Sequence, residues 1–240
     1  MPNGIYSAMT GALAQEEHMD IVANNLANGS TNGFKAVQAT FKELLDETRE
    51  GSKNQTQRHV VLDGTYTDYS QGPLKHTHNP LDVAIQGDGF FVVDTPEGEK
   101  YTRNGAFMLN EQRQLTTISG EVVQGTGGAI EVPEGAVINI NQSGSVTSGQ
   151  LEIGKIRVVQ FENPQKLDRI GHNLYAAGEG VDAQDVENAS VLTGALERSN
   201  VNMIREMTSL IKVSRFYESF NKAIQTYRTV DGSTARELGR

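Results

Sequence analysis

The sequence predicts an α+β protein: long N- and C-terminal helices paired as an α-helical, coiled-coil-like layer, with a central antiparallel all-β domain. Three observations predict it. Apolar residues recur at steps of three and four at both ends of the chain. Short β-branched and aromatic runs separated by turn residues fill the middle. The 240 residues include 25 glycines and no tryptophan, which favours tight turns over a large aromatic core.

At the N-terminal end the row Ile5, Met9, Ala12, Met19, Ala23 and Leu26 keeps helical steps, with Glu16 as its polar member. So narrow a row needs another helix to bury it. Asn3 or Gly4 starts this helix, and Asn28-Gly29 ends it, because both residues tolerate a left-handed C-cap. The run Glu47 to Arg58 is polar and predicts a flexible loop, and Val60 to Tyr69 alternates loosely as a strand. Asp82–Ile85, Phe90–Asp94, Lys100–Arg103, Ala106–Leu109, Leu115–Ile118, Val122–Gln124, Ile130–Val132, Val137–Ile140 and Ile153–Phe161 predict further strands. Asn104-Gly105 predicts a two-residue hairpin turn between two of them.

The last helix is predicted to be capped by Asn200, to begin at Val201 and to stop at Asp231-Gly232. Its row is Met203, Met207, Leu210, Val213, Tyr217, Phe220, Ile224 and Tyr227. The expected organisation is therefore a discontinuous helical domain of residues 1–35 and 199–240. A connecting segment, 36–78, holds a polar loop and an extended hairpin, and 79–198 form the β-rich domain.

Composition excludes several functions. With 21 Lys+Arg against 30 Asp+Glu, the net charge of −9 argues against a nucleic-acid surface. No cysteine is present, so disulfides, thiolate metal sites and a cysteine nucleophile are excluded. No apolar run approaches the ~20 residues of a membrane span, so no membrane insertion is expected. The first residues carry no basic segment, so no cleaved secretory signal is expected.

The candidate chemistry is thin. His76 and His78 offer two metal ligands without a third. Gly87 and Gly89 lie between strands, where a phosphate-cradling loop needs a strand and a helix. Asp82, Asp88 and Asp94 could be paired carboxylates for glycoside hydrolysis, but their places beside turns are explained by turn chemistry. No catalytic, cofactor-binding or metal residue is assigned, and no cofactor is expected.

Three segments carry a resemblance. Ala23-Asn24-Asn25-Leu26-Ala27-Asn28 is followed by Ser30-Thr31-Asn32-Gly33-Phe34-Lys35. Asn79 to Val93 precedes Tyr101-Thr102-Arg103-Asn104-Gly105-Ala106-Phe107. Glu197-Arg198-Ser199-Asn200-Val201-Asn202 precedes Glu206-Met207 and Arg215-Phe216-Tyr217-Glu218. In this order they resemble the signatures of the bacterial flagellar rod and hook proteins across nearly the whole chain. One departure is Asn110-Glu111-Gln112-Arg113, which stands where that family has an Asp-Gly turn.

The resemblance implies a structural subunit of the flagellar basal-body rod that polymerises helically and is not an enzyme. Its proximal-rod members are resembled most, and a distal-rod subunit is the alternative. A secreted cell-wall-binding or glycan-active module is the competing class. The implied partners are other rod subunits and the flagellar type III export apparatus, and the implied location is the periplasmic rod. The expected subunit-interface residues are Ile5, Met9, Met19, Asn24, Asn25, Leu26, Asn28 and Phe34 near the start. Near the end they are Asn200, Val201, Met203, Met207, Leu210, Tyr217, Phe220 and Ile224.

Overall fold

The computed structural model describes residues 2–48, 55–149, 151–178, 180–186 and 189–238. The chain divides into two compact units: Met1–Ala27 with Val37–Asp68 and Asn202–Arg240, and Asn28–Ala36 with Tyr69–Val201.

The first unit holds the two helices, α1 (Pro2–Ala27) and α2 (Met203–Leu238), and the two strands β1 (Val37–Thr48) and β2 (Gln55–Thr67). β1 and β2 pair antiparallel from Val37 opposite Thr67 to Thr48 opposite Gln55, with one bulge between Thr40 and Phe41. The polar run predicted as a loop is therefore mostly strand at its two ends, and its residues 49–54 lie outside the described residues. Ladder hydrogen bonds belong to the backbone, so a polar two-stranded ribbon leaves little trace in hydropathy.

α1 ends where predicted, with Asn28 closing a turn to the Thr31 N–H. The start of α2 departs from prediction. Asn202, not Asn200, is the cap: its side-chain oxygen accepts from the Arg205 N–H at 3.1 Å. Nor does α2 stop at Asp231-Gly232, since it runs on to Leu238. A helical glycine costs only about 1 kcal/mol relative to alanine, too little to end a helix with helix-forming residues beyond it.

The second unit is built of antiparallel strand pairs, with one 3-10 turn at Pro164–Lys166. Its strands are β3 (Leu74–His76), β4 (Val83–Ile85), β5 (Phe90–Thr95), β6 (Gly98–Thr102), β7 (Phe107–Leu109), β8 (Leu115–Thr117), β9 (Val122–Gly125) and β10 (Gly128–Ala129). There follow β11 (Ile138–Ile140), β12 (Ser145–Ser148), β13 (Leu151–Lys155), β14 (Val158–Gln160), β15 (Leu167–Gly171), β16 (Leu174–Ala177), β17 (Gln184–Asp185), β18 (Val191–Thr193) and β19 (Ala195–Glu197). The main sheet runs β15-β16-β6-β5-β9-β8-β7, with β10 on β9, β14 on β5 and β17 on β14. β11-β12-β13 form a smaller sheet, and β18 pairs β4 while β19 pairs β3, joining the end of the unit to its start.

β5 explains its own unbroken apolar run. Phe91 and Val93 enter a cluster with Val83, Ile85, Phe107, Leu115 and Val123. Phe90 and Val92, pointing the other way, enter a second cluster with Tyr101, Val159, Phe161, Leu167 and Tyr175. Both faces of the strand are covered, so alternation disappears from the sequence.

Three sequence expectations change here. Ile130–Val132 forms no named strand, only a bridge from Glu131 to Gln114. Ile153–Phe161 is split into β13 and β14. Asn104-Gly105 is not a two-residue hairpin, because β6 pairs β5 and β16 while β7 pairs β8. The Asn104 side chain instead accepts from the Ala106 N–H at 3.2 Å, a local turn that lets the chain change partners. At the β7–β8 turn Arg113 takes φ 61°, the left-handed position that the missing glycine would have filled.

Candidate functional site

Two features of the fold carry the signature segments. One is the face along which α1 and α2 pack within the first unit. On α1 the backbone at Gly4 and Gly11 stands against α2, and Ala8, Ala12, Ala14 and Val22 are the buried apolar side chains of that helix, Ala12 alone among them belonging to the predicted row. A methyl group added at Gly4 would stand 2.7 Å from the Tyr227 ring, and one at Gly11 2.7 Å from the Phe220 ring. These pairs set the helices antiparallel and bring the backbone of α1 close to the aromatic rings of α2.

Glycines mark these close approaches, which hydropathy does not register. Of the predicted row, Ile5, Met19 and Leu26 are half-buried at the seam's edge, and Met9 is exposed. On α2 the predicted row holds from Leu210 onward: Val213 is buried, and Leu210, Tyr217, Phe220 and Ile224 are half-buried. Met203 and Met207 are exposed.

Asn25 serves its own chain. Its side chain donates to the Val37 carbonyl at 2.7 Å and accepts from the Val37 N–H at 2.9 Å, pinning the start of β1 to α1. Asn24 is exposed and Asn28 half-buried. His18 lies edge-on to Phe41 at 5.2 Å. Burial lowers its pKa from the ordinary value, and the nearby Glu206 pulls the other way. A lowered pKa means that folding favours neutral His18. Its contribution is present above about pH 6.5, the unfolded value, and is lost as pH falls through the folded value. The helical unit is expected to melt lower at pH 5 than at pH 7, and a His18→Phe variant to show a flatter dependence over that window.

The second feature is a buried ion network in the β unit, built from all three signature segments. Lys35 Nζ donates to Glu197 Oε1 at 2.6 Å and to the Ser70 carbonyl at 2.7 Å. Arg103 Nη1 reaches Glu197 Oε2 at 3.3 Å and the Gly87 carbonyl at 2.8 Å. The Gly72 N–H donates to Glu197 Oε1 at 2.9 Å. Lys35, Arg103 and Glu197 are each at most 2% exposed. Two cations thus share one carboxylate, and each also donates to a backbone carbonyl, while the buried Arg103 Nε makes no hydrogen bond. Burial pushes the Arg103 pKa down, while Glu197 and Asp88 oppose that shift.

Around the network the signature residues fit one another. Phe34 is buried beneath Arg169, whose guanidinium lies 4.7 Å from the ring centre. The Gly33 N–H donates to the Glu197 carbonyl at 2.8 Å. Asn200, expected as a helix cap, joins three segments instead: it accepts from the Ala36 N–H at 2.8 Å and donates to the Ser70 carbonyl at 3.2 Å. Val201 beside it is half-buried. Sequence reasoning quoted Lys35, Arg103 and Glu197 inside separate signatures without joining them. A charged residue in each of three otherwise turn-like segments was the available signal.

His76 and His78 stack at 6.4 Å as exposed rings. Asp82 accepts from the Asn79 side chain at 2.9 Å, which is turn chemistry, and Asp88 and Asp94 are exposed. Among the described residues no group of three or more His, Cys, Asp or Glu is placed to hold a metal ion. Among them, no helix is long and apolar enough to cross a membrane.

Comparison with known proteins follows the same three segments. The family described as "Flagella basal body rod protein" matches residues 5–35. "Flagellar hook protein FlgE/F/G D1 domain" matches 84–148, and "Flagellar basal body rod FlgEFG protein C-terminal" matches 192–237. The flagellar basal-body rod protein FlgF of Caulobacter vibrioides is 33% identical over 245 residues, covering 100% of this chain and 99% of the relative. FlgF of Mesorhizobium japonicum is 33% identical over 242 residues with the same coverage. FlgG of Buchnera aphidicola is 36% identical over 248 residues, covering 92% of this chain and 94% of the relative. With likeness running from end to end, and the signature segments folded onto a helical seam and one buried ion network, the chain belongs to the family of flagellar basal-body rod proteins, the structural subunits of that rod.

Proposed function

We propose that the chain is a proximal-rod subunit whose terminal helices form a coiled-coil-like inner layer of a helical polymer. It works by mechanical packing rather than by catalysis, is exported by the flagellar apparatus and assembles with itself and other rod proteins in the periplasm. The observation that carries this reading is apolar surface left over after the helices have packed. Ile204 and Ile211 on α2 are 79% and 57% exposed, and Tyr6 and Leu13 on α1 are 59% and 57% exposed. A monomer gains nothing from such rows, whereas a polymer buries them. End-to-end coverage of the FlgF relatives favours the proximal branch, and the slightly higher identity of a FlgG relative keeps the distal branch as the second reading.

Of the expected interface residues, Met9, Asn24, Met203 and Met207 are exposed and fit a neighbour directly. Ile5, Met19, Leu26, Leu210, Tyr217, Phe220 and Ile224 line or flank the seam and would act by shaping it. Asn25, Phe34 and Asn200 are engaged inside the chain.

Ile204→Asp and Ile211→Asp test this. Each charge starts exposed in the free subunit, so circular dichroism and melting are expected to stay near wild type. In the polymer the same charge would be buried in an apolar contact at a cost of several kcal/mol, and cells are expected to lose motility. Motile cells with complete rods would refute the reading. Leu210→Asp, in contrast, strikes the seam and is expected to loosen the helix pair itself.

A further inference from the structure

The exposed rows also say how successive subunits meet. On α1, Tyr6, Met9 and Leu13 are exposed and are followed along the same side by the exposed acids Glu16, Glu17 and Asp20. At about 100° per residue, this side lies roughly opposite the seam of Gly4, Ala8 and Gly11. On α2, Ile204, Met207 and Ile211 are exposed at the same spacing, followed by Arg215, Glu218 and Lys222. That side too faces away from its seam.

We propose that these two rows pair in parallel between two copies of this chain, Tyr6 with Ile204, Met9 with Met207, Leu13 with Ile211 and Glu17 with Arg215. The inference rests on the rod-subunit reading and names the occupant and register of its interface. The order of chemistry decides the direction. Both rows run apolar first and charged second, acidic on α1 and mixed but net basic on α2. Parallel alignment therefore puts apolar on apolar and Glu17 on Arg215, and sets one like-charged exposed pair, Asp20 and Glu218, at the far end of the contact. Antiparallel alignment would set the acids of α1 against the isoleucines of α2.

Direction also excludes the same chain's α2 as the partner, and the complementary order of the two rows makes a second copy the occupant. Within one chain α1 and α2 are antiparallel, as Gly4 on Tyr227 and Gly11 on Phe220 show, and both rows face outward. A chain therefore carries both halves of the contact and cannot close it on itself. Its α1 row is satisfied by one neighbour and its α2 row by another. Such a heterologous contact propagates instead of closing.

The natural absence of cysteine gives a clean test. A chain carrying Leu13→Cys and Ile211→Cys, assembled in cells and oxidised, is expected to give a ladder of disulfide-linked multimers on a non-reducing gel. Either substitution alone is expected to give no ladder. Motile cells whose rods contain the doubly substituted chain and show no ladder would overturn the parallel register while leaving the rod reading standing. Cross-linking only to a rod protein of different size would overturn the choice of a second copy.

Charge reversal covers the case in which the cysteine variant fails to assemble. Glu17→Arg and Arg215→Glu are each expected to lower assembled rods about tenfold, and the two together to restore them. A double variant no better than either single one would overturn the register. Unchanged motility after deletion of the whole chain would instead overturn the rod reading.

Discussion

Glu197→Gln is expected to be the most damaging conservative change in the β unit. The substitution keeps the shape and removes the carboxylate that Lys35 and Arg103 share, and these two cations are 0% and 2% exposed. Breaking a buried ion pair from one side costs about 3–5 kcal/mol, because the partner charge stays buried. Here two partners are left. The melting temperature of the β unit is expected to fall on the order of 10 °C, and calorimetry checks it. Adding Lys35→Met should recover part of the loss, since one buried positive charge is then removed. The wild-type melt should barely respond to salt, because buried pairs are little screened. A Glu197→Gln melt within a degree or two of wild type would show that the cations do not depend on this carboxylate.

Gly33→Ala should come next. Gly33 sits at φ 70°, and an added methyl would stand 2.5 Å from the Asn104 nitrogen and 2.6 Å from the Arg103 carbonyl carbon. The left-handed conformation costs an alanine about 1–2 kcal/mol. The overlap adds more, because both atoms are backbone and cannot rotate away. Relief requires lifting the segment, which loses the Gly33 N–H bond to Glu197 and strains the neighbouring Lys35 bridge. The melt separates the two causes. Asn tolerates positive φ, so Gly33→Asn would be mild if conformation alone mattered and is expected to be as severe as alanine because space decides. Gly11→Ala is expected to be gentler, since its obstacle is the side-chain ring of Phe220.

The sequence made the two terminal helices and most β strands legible, for reasons that differ by element. Helical spacing from Leu210 to Tyr227 is visible because those side chains are large and line the packed face. On α1 hydropathy passed over Gly4 and Gly11, whose value is close approach to the Tyr227 and Phe220 rings, while Ala12 of the predicted row is buried. β1 and β2 were half hidden, since a polar ribbon is held by backbone bonds that composition does not report. The signature segments were legible as words, but their joint role was not. Lys35 and Glu197 are 162 positions apart, and nothing local says that they touch.

By itself, then, the sequence determined the α+β class, the absence of cysteine chemistry, the net acidity and the likeness to rod and hook proteins. Local spacing, turn residues and composition are properties of neighbours along the chain, and each of these conclusions is of that kind. Only the tertiary structure decided which residues of α1 meet α2, that Asn202 rather than Asn200 caps α2, and that Lys35, Arg103 and Glu197 share one buried site. Close approach, burial and the pairing of distant charges depend on which backbone segments lie beside one another. A linear pattern of side chains constrains that arrangement without specifying it.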